Sequence, residues 1–377
     1  MSLSRRLLAG GLALVTVGSA YAAFGGSSGA SSAPARKSAL STLGRQKPIV
    51  IAHRGASEYR PEESRSAYLL AIEMGADYIE PDVVTTKDHV LVARHDNWLN
   101  DTTDVAKHPE FASLKKTKTI DGVQHTDWFT EDFTFAQLET LRLKERLPDL
   151  RAGSSAFDGV DRIAGLDEVL QIAKDHHVGV YPETKHPTYF RGIGLPLEDE
   201  LLKDLAKYGF KGRNDKVFIQ SFETSNLRAL SKKTSIRLIQ LIDTQGAPYD
   251  FVANHDPRTY DDLVKPAGLK DVASYAYGIG PGLTRIIPVD TGNHALPPTT
   301  LVRDAHRAGL AVHPWTVRPE NYFLPVEYRQ GDSGSPNFPR AEGDASRYLA
   351  DFYRLGVDGI FSDDSALAVS TRARVFG

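Results

Sequence analysis

The stretch Tyr78-Ile79-Glu80-Pro81-Asp82-Val83-Val84-Thr85-Thr86-Lys87-Asp88-His89-Val90-Leu91-Val92-Ala93-Arg94-His95 holds two apolar runs around a short polar turn. Both runs have strand length and are rich in β-branched residues. The few residues between them cannot form a crossover, because parallel partners need a connection of a dozen or more residues. The two runs therefore make an antiparallel hairpin. Working outward, further strands are expected at 49–53, 179–185, 216–222, 236–242, 277–280, 310–317 and 359–362. Helical patterns fall at 64–74, 135–141, 166–176, 197–208, 224–232, 299–308 and 345–355. Strands that alternate with helices argue for a parallel sheet with crossovers. Once the hairpin return is set aside, eight strands remain. That is the count of an α/β fold closed as a TIM (β/α)8 barrel.

Two segments exceed what simple connections need. Residues 96–162, after the second-strand hairpin, read as a small inserted subdomain. Residues 318–344 are rich in Pro and Gly and carry Tyr322, Phe323 and Tyr328, as lids and binding loops do. Both leave the barrel near strand C-terminal ends, where barrel active sites sit.

The N-terminus reads as a leader. Arg5 and Arg6 precede an apolar run from Leu7 to Ser19, and Ala20-Tyr21-Ala22 is a small-x-small cleavage site. This predicts a signal peptide over 1–22 and an exported protein, periplasmic or secreted from a bacterium. Ser4-Arg5-Arg6-Leu7-Leu8 is loosely twin-arginine-like. A Gly/Ser/Ala-rich lead-in follows over 23–46, and the barrel itself over 47–377. No later stretch is long and apolar enough to cross a membrane. The 377 residues carry 45 Lys and Arg against 48 Asp and Glu, a net charge of -3. That gives no support for a nucleic-acid partner. There is no cysteine. Disulfides, thiolate nucleophiles, cysteinyl zinc and iron–sulfur sites are excluded, and any metal must be held by oxygen or imidazole.

Polar residues stand at strand ends where a buried barrel strand should be apolar. Glu80 and Asp82 are two apart and share a face. Two inward carboxylates repel unless a cation sits between them. Glu183, at another strand end, adds a third hard oxygen ligand, a set suited to Ca²⁺ or Mg²⁺. His53 and His95 are the acid/base candidates. With Lys87 and Asp88 as a two-residue loop, His95 lies opposite Glu80. A three-residue loop shifts the register by one and puts Arg94, in place of His95, on the inward face. Arg54 and Lys185 can bind an anion. Phe222 and Trp315 are candidates for an apolar substrate wall, with core packing as the competing role. Together these are the parts of phosphoester chemistry: charge neutralisation, a base and an acid.

The chain also resembles the glycerophosphodiester phosphodiesterase family, most closely its exported bacterial branch, over residues 47–370. The resemblance rests on ordered motifs. They are His53-Arg54-Gly55-Ala56-Ser57 with Pro61-Glu62, Gly75 through Val83, Thr86-Lys87-Asp88 through His95-Asp96, and Tyr181-Pro182-Glu183-Thr184-Lys185. Gln220-Ser221-Phe222, His313 through Arg318, and Gly356 through Asp363 follow. It implies a TIM barrel with a small insertion and a divalent cation, usually Ca²⁺ in the exported branch. By position, His53 and His95 match the catalytic pair, Glu80, Asp82 and Glu183 the metal ligands, and Arg54 and Lys185 the phosphate contacts. The implied reaction converts a small-molecule glycerophosphodiester, such as glycerophosphocholine or glycerophosphoethanolamine, to sn-glycerol 3-phosphate and an alcohol. Three positions depart from the pattern: Glu63 where Asn or His is usual, His89 where Gly is usual, and Pro81 where Leu, Val or Gln is common. Two other readings use the same residues. One is a phospholipase D-like or sphingomyelinase D-like enzyme, which should show an exposed apolar rim near the mouth. The other is a non-catalytic glycerophosphodiester-binding protein, which would need no proton shuttle.

Overall fold

The computed structural model describes residues 41–377. The leader at 1–22 and most of the lead-in lie outside the described residues. Of the lead-in, Thr42 is buried, and the Leu43 backbone N–H donates to Asp358 Oδ1 at 2.6 Å.

Among the described residues thirteen strands occur in the order β1 Ile49–His53, β2 Tyr78–Glu80, β3 Asp82–Thr85, β4 Leu91–Ala93, β5 Lys116–Ile120, β6 Val123–Asp127, β7 Gly179–Val180, β8 Glu183–Thr184, β9 Phe218–Ser221, β10 Arg237–Ile242, β11 Gly278–Pro281, β12 Ala311–Val312 and β13 Gly359–Ser362. Proline, which cannot donate a ladder hydrogen bond, divides two barrel strands. Pro81 separates β2 from β3, and Tyr181-Pro182 separates β7 from β8. Counting each divided strand once gives eight staves. Parallel pairing runs β13-β1-β2-β7 on one side and β3-β8-β9-β10-β11-β12 on the other. Val180 pairs with Val217, and Val317 with Ser362, which closes the ring as an α/β TIM barrel.

The side chains inside the barrel stand in columns set by the two-residue strand period. Ile51, Tyr78, Tyr181, Phe218, Ile239 and Phe361 form an inner apolar cluster. Two residues further along the same strands stand His53, Glu80, Glu183, Gln220, Leu241 and Asp363. The polar layer at the strand C-terminal ends thus rests on an aromatic floor. In it Tyr181 stacks on Phe218 at 4.8 Å and meets Phe361 edge-on at 5.2 Å. The helices outside bury a second, larger core against the outer strand faces.

The hairpin register differs from the two-residue reading. Val83 faces Ala93, Val84 faces Val92 and Thr85 faces Leu91. The loop is therefore the three residues Lys87–His89, with His89 at φ 63°, the left-handed residue such a loop requires. Arg94 then lies opposite Asp82, and its N–H donates to the Asp82 carbonyl at 2.8 Å. Its side chain nevertheless turns to the insert, where it donates to Thr102 Oγ1 and the Trp98 carbonyl. The ladder ends at Ala93, and the freed chain swings His95 into the barrel mouth.

The insert holds a hairpin, β5 with β6, that the helical reading did not anticipate. The loop over 318–344 is packed: Leu324 and Tyr328 are buried, and the Asn321 amide donates to the Gln330 and Phe338 carbonyls.

Beneath the site, His313 is buried and shares a 2.9 Å hydrogen bond with the Tyr181 hydroxyl. Burial lowers its pKa to about 4. The folded state then binds fewer protons than the unfolded chain between about pH 6.5 and 4. Stability falls as pH falls through that window, by a contribution on the order of 3 kcal/mol at its acid end. Melting curves from pH 7 to 4.5 should show a shallower loss for His313→Gln than for the wild type. Equal slopes would count against a neutral buried imidazole.

Candidate active site

The turn after β1 sets the first side chains. Arg54 and Gly55 both have positive φ, 56° and 88°. A Cβ on Gly55 would meet the Ala67 backbone at 2.6 Å, so only glycine fits there. The turn leaves the Arg54 N–H donating to Glu80 Oε2 at 2.9 Å, and puts its Nε 2.8 Å from Asp82 Oδ2.

Glu80, Asp82 and Glu183 are all buried, with one carboxylate oxygen from each lying within 4.8 Å of the others. Their surroundings pull them apart electrostatically. Burial and the neighbouring Asp82, Glu63 and Glu183 push Glu80 well above the usual carboxylate range. Burial raises Glu183 to about 8 against the opposing pull of Lys185. Burial also disfavours an ionised Asp82, but Lys185 and Arg54 outweigh it and hold that carboxyl well below its usual range. Both Asp82 oxygens are buried without a hydrogen-bond donor. Three buried carboxylates converging from three strands, with both oxygens of Asp82 lacking a hydrogen-bond donor, are a donor set that fits a hard divalent cation. A carboxylate pair repelled this strongly is relieved by a proton on one member or by a cation between them.

Both histidines are oriented by a carboxylate. His53 Nδ1 lies 2.7 Å from Asp363 Oδ1, and His95 Nδ1 lies 2.6 Å from Asp96 Oδ1. Asp363 and Asp96 are held well below the usual carboxylate range although burial opposes ionisation, Asp363 by Arg151 and Arg318, Asp96 by His95 and Arg146. An ionised carboxylate only accepts, so each Nδ1 carries the proton and each Nε2 is free to take one. Burial, followed by the charge of Arg54, lowers both histidines to about 4, so both are neutral near pH 7.

His53, Arg54, Glu80, His95, Glu183 and Lys185 line one cavity of about 70 Å³, with Phe222, Leu241 and Trp315 as its apolar wall. Phe222 and Trp315 meet edge-to-face at 5.5 Å. Glu183, Lys185 and Phe222 also line a wider adjoining cavity of about 360 Å³, with Asp121, Glu223 and Asp243 around it. All nine residues singled out in the sequence thus stand at one mouth. Those passed over are Asp96 and Asp363, which follow His95 and Ser362 inside the quoted motifs, and Gln220, whose amide donates to Glu80 Oε1 at 2.9 Å.

The sequence profile of the Glycerophosphoryl diester phosphodiesterase family matches residues 53–367. The chain belongs to that family. It is 38% identical over 331 residues to a glycerophosphodiester phosphodiesterase of Arabidopsis thaliana, covering 84% of each chain. It is 30% identical over 303 residues to one of Haemophilus influenzae, covering 72% of this chain and 79% of the relative. A solved phosphodiesterase of Oleispira antarctica, in complex with the product sn-glycerol-3-phosphate, shares the fold with a TM-score of 0.54 at 18% identity. It covers 88% of this chain and 98% of its own. As a family member the chain is a phosphodiesterase enzyme. The relatives include a plant and a bacterial protein, so the likeness defines the family and not a branch of it.

The departures from the family pattern fall on this framework. Glu63, at φ 60°, accepts the Asp82 N–H at 2.9 Å and the Tyr68 hydroxyl. Asp82 follows Pro81, and Glu63 thereby fixes the backbone of the residue at the strand break.

Removing positive charge from among Glu80, Asp82 and Glu183 should destabilise the barrel mouth. Added Ca²⁺ should raise the melting temperature of EDTA-stripped wild-type protein by several degrees and leave Asp82→Asn unmoved. Equal shifts in both would place the cation elsewhere.

Proposed function

We propose that this chain is an exported, Ca²⁺-dependent hydrolase of water-soluble glycerophosphodiesters, releasing sn-glycerol 3-phosphate and an alcohol such as choline or ethanolamine. The observation that supports this best is the shared cavity. Two neutral imidazoles, each with Nδ1 tied to a carboxylate, open onto the same 70 Å³ as Arg54, Lys185, Glu80 and Glu183, with Asp82 within 4.8 Å of the two carboxylates.

In this reading Glu80, Asp82 and Glu183 hold the cation, which when bound neutralises phosphate charge and polarises the phosphorus centre. Arg54 and Lys185 bind the remaining phosphate oxygens. The narrow lobe takes the glyceryl group against Phe222 and Trp315, and the wide lobe takes the alcohol. One histidine Nε2 accepts the proton of the glycerol 2-hydroxyl as its oxygen bonds to phosphorus. The other protonates the departing alcohol as its P–O bond breaks. The roles then reverse: water gives up a proton, bonds to phosphorus, and opens the cyclic phosphate at the 2-oxygen. The product named in the Oleispira antarctica complex, sn-glycerol-3-phosphate, is the product of this scheme.

A lipid substrate calls for an apolar rim. Among the described residues, the large hydrophobics that stand exposed are scattered, and Val252 is the one of them that lines either cavity. Four carboxylates, Asp121, Glu183, Glu223 and Asp243, stand among the wide lobe's lining, which suits a soluble alcohol over acyl chains. Export rests on the leader at 1–22.

Purified wild-type protein should hydrolyse glycerophosphocholine, lose the activity in EDTA and regain it with Ca²⁺, with Mg²⁺ as the comparison. His53→Ala should lower kcat by about 100-fold or more. EDTA-insensitive turnover, or full activity in the variant, would refute the mechanism. Faster choline release from lysophosphatidylcholine than from glycerophosphocholine would instead favour the lipid reading.

A further inference from the structure

The insert and the long loop reach the two histidines through arginines, Arg151 buried and Arg146 and Arg318 half-buried. Arg151, from the insert, places Nη2 2.6 Å from Asp363 Oδ2, the oxygen opposite the one that holds His53. Its Nε donates to Glu320 Oε1 at 2.6 Å, and its Nη1 to the Ser57 carbonyl at 2.8 Å. The Arg151 side chain is 5% exposed, Asp363 2% and Glu320 3%. Arg318 Nε completes the Asp363 shell at 3.0 Å. The second histidine has a parallel arrangement. Arg146, also from the insert, forms an ion pair with Asp96 Oδ2 at 2.7 Å, and Asp96 holds His95. The other edge of Arg146 grips Glu62, with Nε 3.0 Å from both carboxylate oxygens, and Glu62 accepts from Arg54 at 3.1 Å.

We infer that Arg146 and Arg151 are positioning residues: the insert fixes the carboxylates that aim His95 and His53, and so belongs to the catalytic apparatus. This rests on the reading of the two histidines as the acid/base pair. The physical reason is rotational. A carboxylate bound only to an imidazole can swing about its own χ angles and take the ring with it. A guanidinium on its second oxygen, locked in turn by Glu320 or Glu62, leaves one orientation. Displacement of a general base by about 1 Å is enough to cost on the order of 100-fold in rate.

The competing account is that the two arginines only pin the insert to the barrel. The two accounts part in a double-mutant cycle on the Ca²⁺-loaded full chain, with glycerophosphocholine as substrate and His53→Ala as control. Positioning predicts that Arg151→Ala lowers kcat at least tenfold with KM within about twofold. It predicts that Asp363→Asn does the same, and that the double variant is no worse than the poorer single one. Millimolar guanidinium should restore part of kcat to Arg151→Ala and none to His53→Ala. Multiplicative losses in the cycle, or wild-type kcat in Arg151→Ala with only its melting temperature lowered, would overturn the inference. If Arg151→Ala does not fold, Glu320→Gln, which unlocks the same guanidinium, is read in its place with the same expected kcat loss. A fully active His53→Ala control would refute the acid/base reading itself and not the arginine contacts.

Discussion

Three carboxylates within 4.8 Å of one another in a buried mouth are the constraint that the rest of this structure answers. Two like charges 4 Å apart repel by about 4 kcal/mol at an effective dielectric of 20. Burial removes the water that would screen them. The neighbouring strands supply the compensation. Arg54 stands 2.8 Å from Asp82, Lys185 donates to Glu183 at 2.7 Å, and the Gln220 amide donates to Glu80. Each of these compensators lies on or just past a strand end, so none can be placed without the barrel. The aromatic floor below matters for the same reason. Tyr181, Phe218 and Phe361 exclude water from beneath the carboxylates and fix the height at which the polar layer begins.

The strand breaks bear on the same constraint. Pro81 lies between Glu80 and Asp82, and Pro182 directly precedes Glu183. A proline leaves its position without an N–H, and its carbonyl can still accept. Glu183 N–H donates to the Pro81 carbonyl at 2.9 Å, and Gln220 N–H to the Pro182 carbonyl at 3.0 Å. The staves are thus tied to each other through the very residues that interrupt them. Glu63 takes the Asp82 N–H, so the break does not leave a buried donor without a partner.

Much of this was legible in the residues. Period-two spacing puts Glu80 with Asp82, and Glu183 with Lys185, on inward faces. The count of runs gives the barrel, and β1, β13 and the helix at Ala345–Leu355 fall where the pattern puts them. Register was less legible, because one loop residue decides it. His89 has no outward sign that it will adopt φ 63°. The β5–β6 hairpin did carry a signal, since Asp121-Gly122 at positive φ is the favoured pair for a two-residue turn. It was obscured because its strands, Lys116-Thr117-Lys118-Thr119-Ile120 and Val123-Gln124-His125-Thr126-Asp127, are mostly polar with little apolar alternation. The C-terminal helix at Ser365–Phe376 buries Ser365, Ala368 and Thr371. Apart from Phe376 at its end, its inner face is small or polar and shows no hydrophobic stripe to read. The carboxylate behind His53 was invisible for another reason: Asp363 and His53 are 310 residues apart, and only barrel closure makes them neighbours.

The arginine contacts bear on why the barrel carries two long excursions at its mouth. A buried ion pair is a poor way to gain stability, since desolvation of both charges offsets most of their attraction, and apolar residues of similar volume do as well or better. Arg151 is nevertheless buried against two carboxylates and a carbonyl, in a place where the insert could have been fastened with leucine. What a guanidinium provides and an apolar contact does not is direction: its planar fork fixes the orientation of each group it touches. Arg151 comes from the insert and Glu320 from the 318–344 loop, and the two meet above Asp363. An excursion from either side alone would orient one face of that carboxylate. With both, the group behind His53 is held from the barrel, the insert and the loop at once, which a bare (β/α)8 ring with short connections has no residues to do.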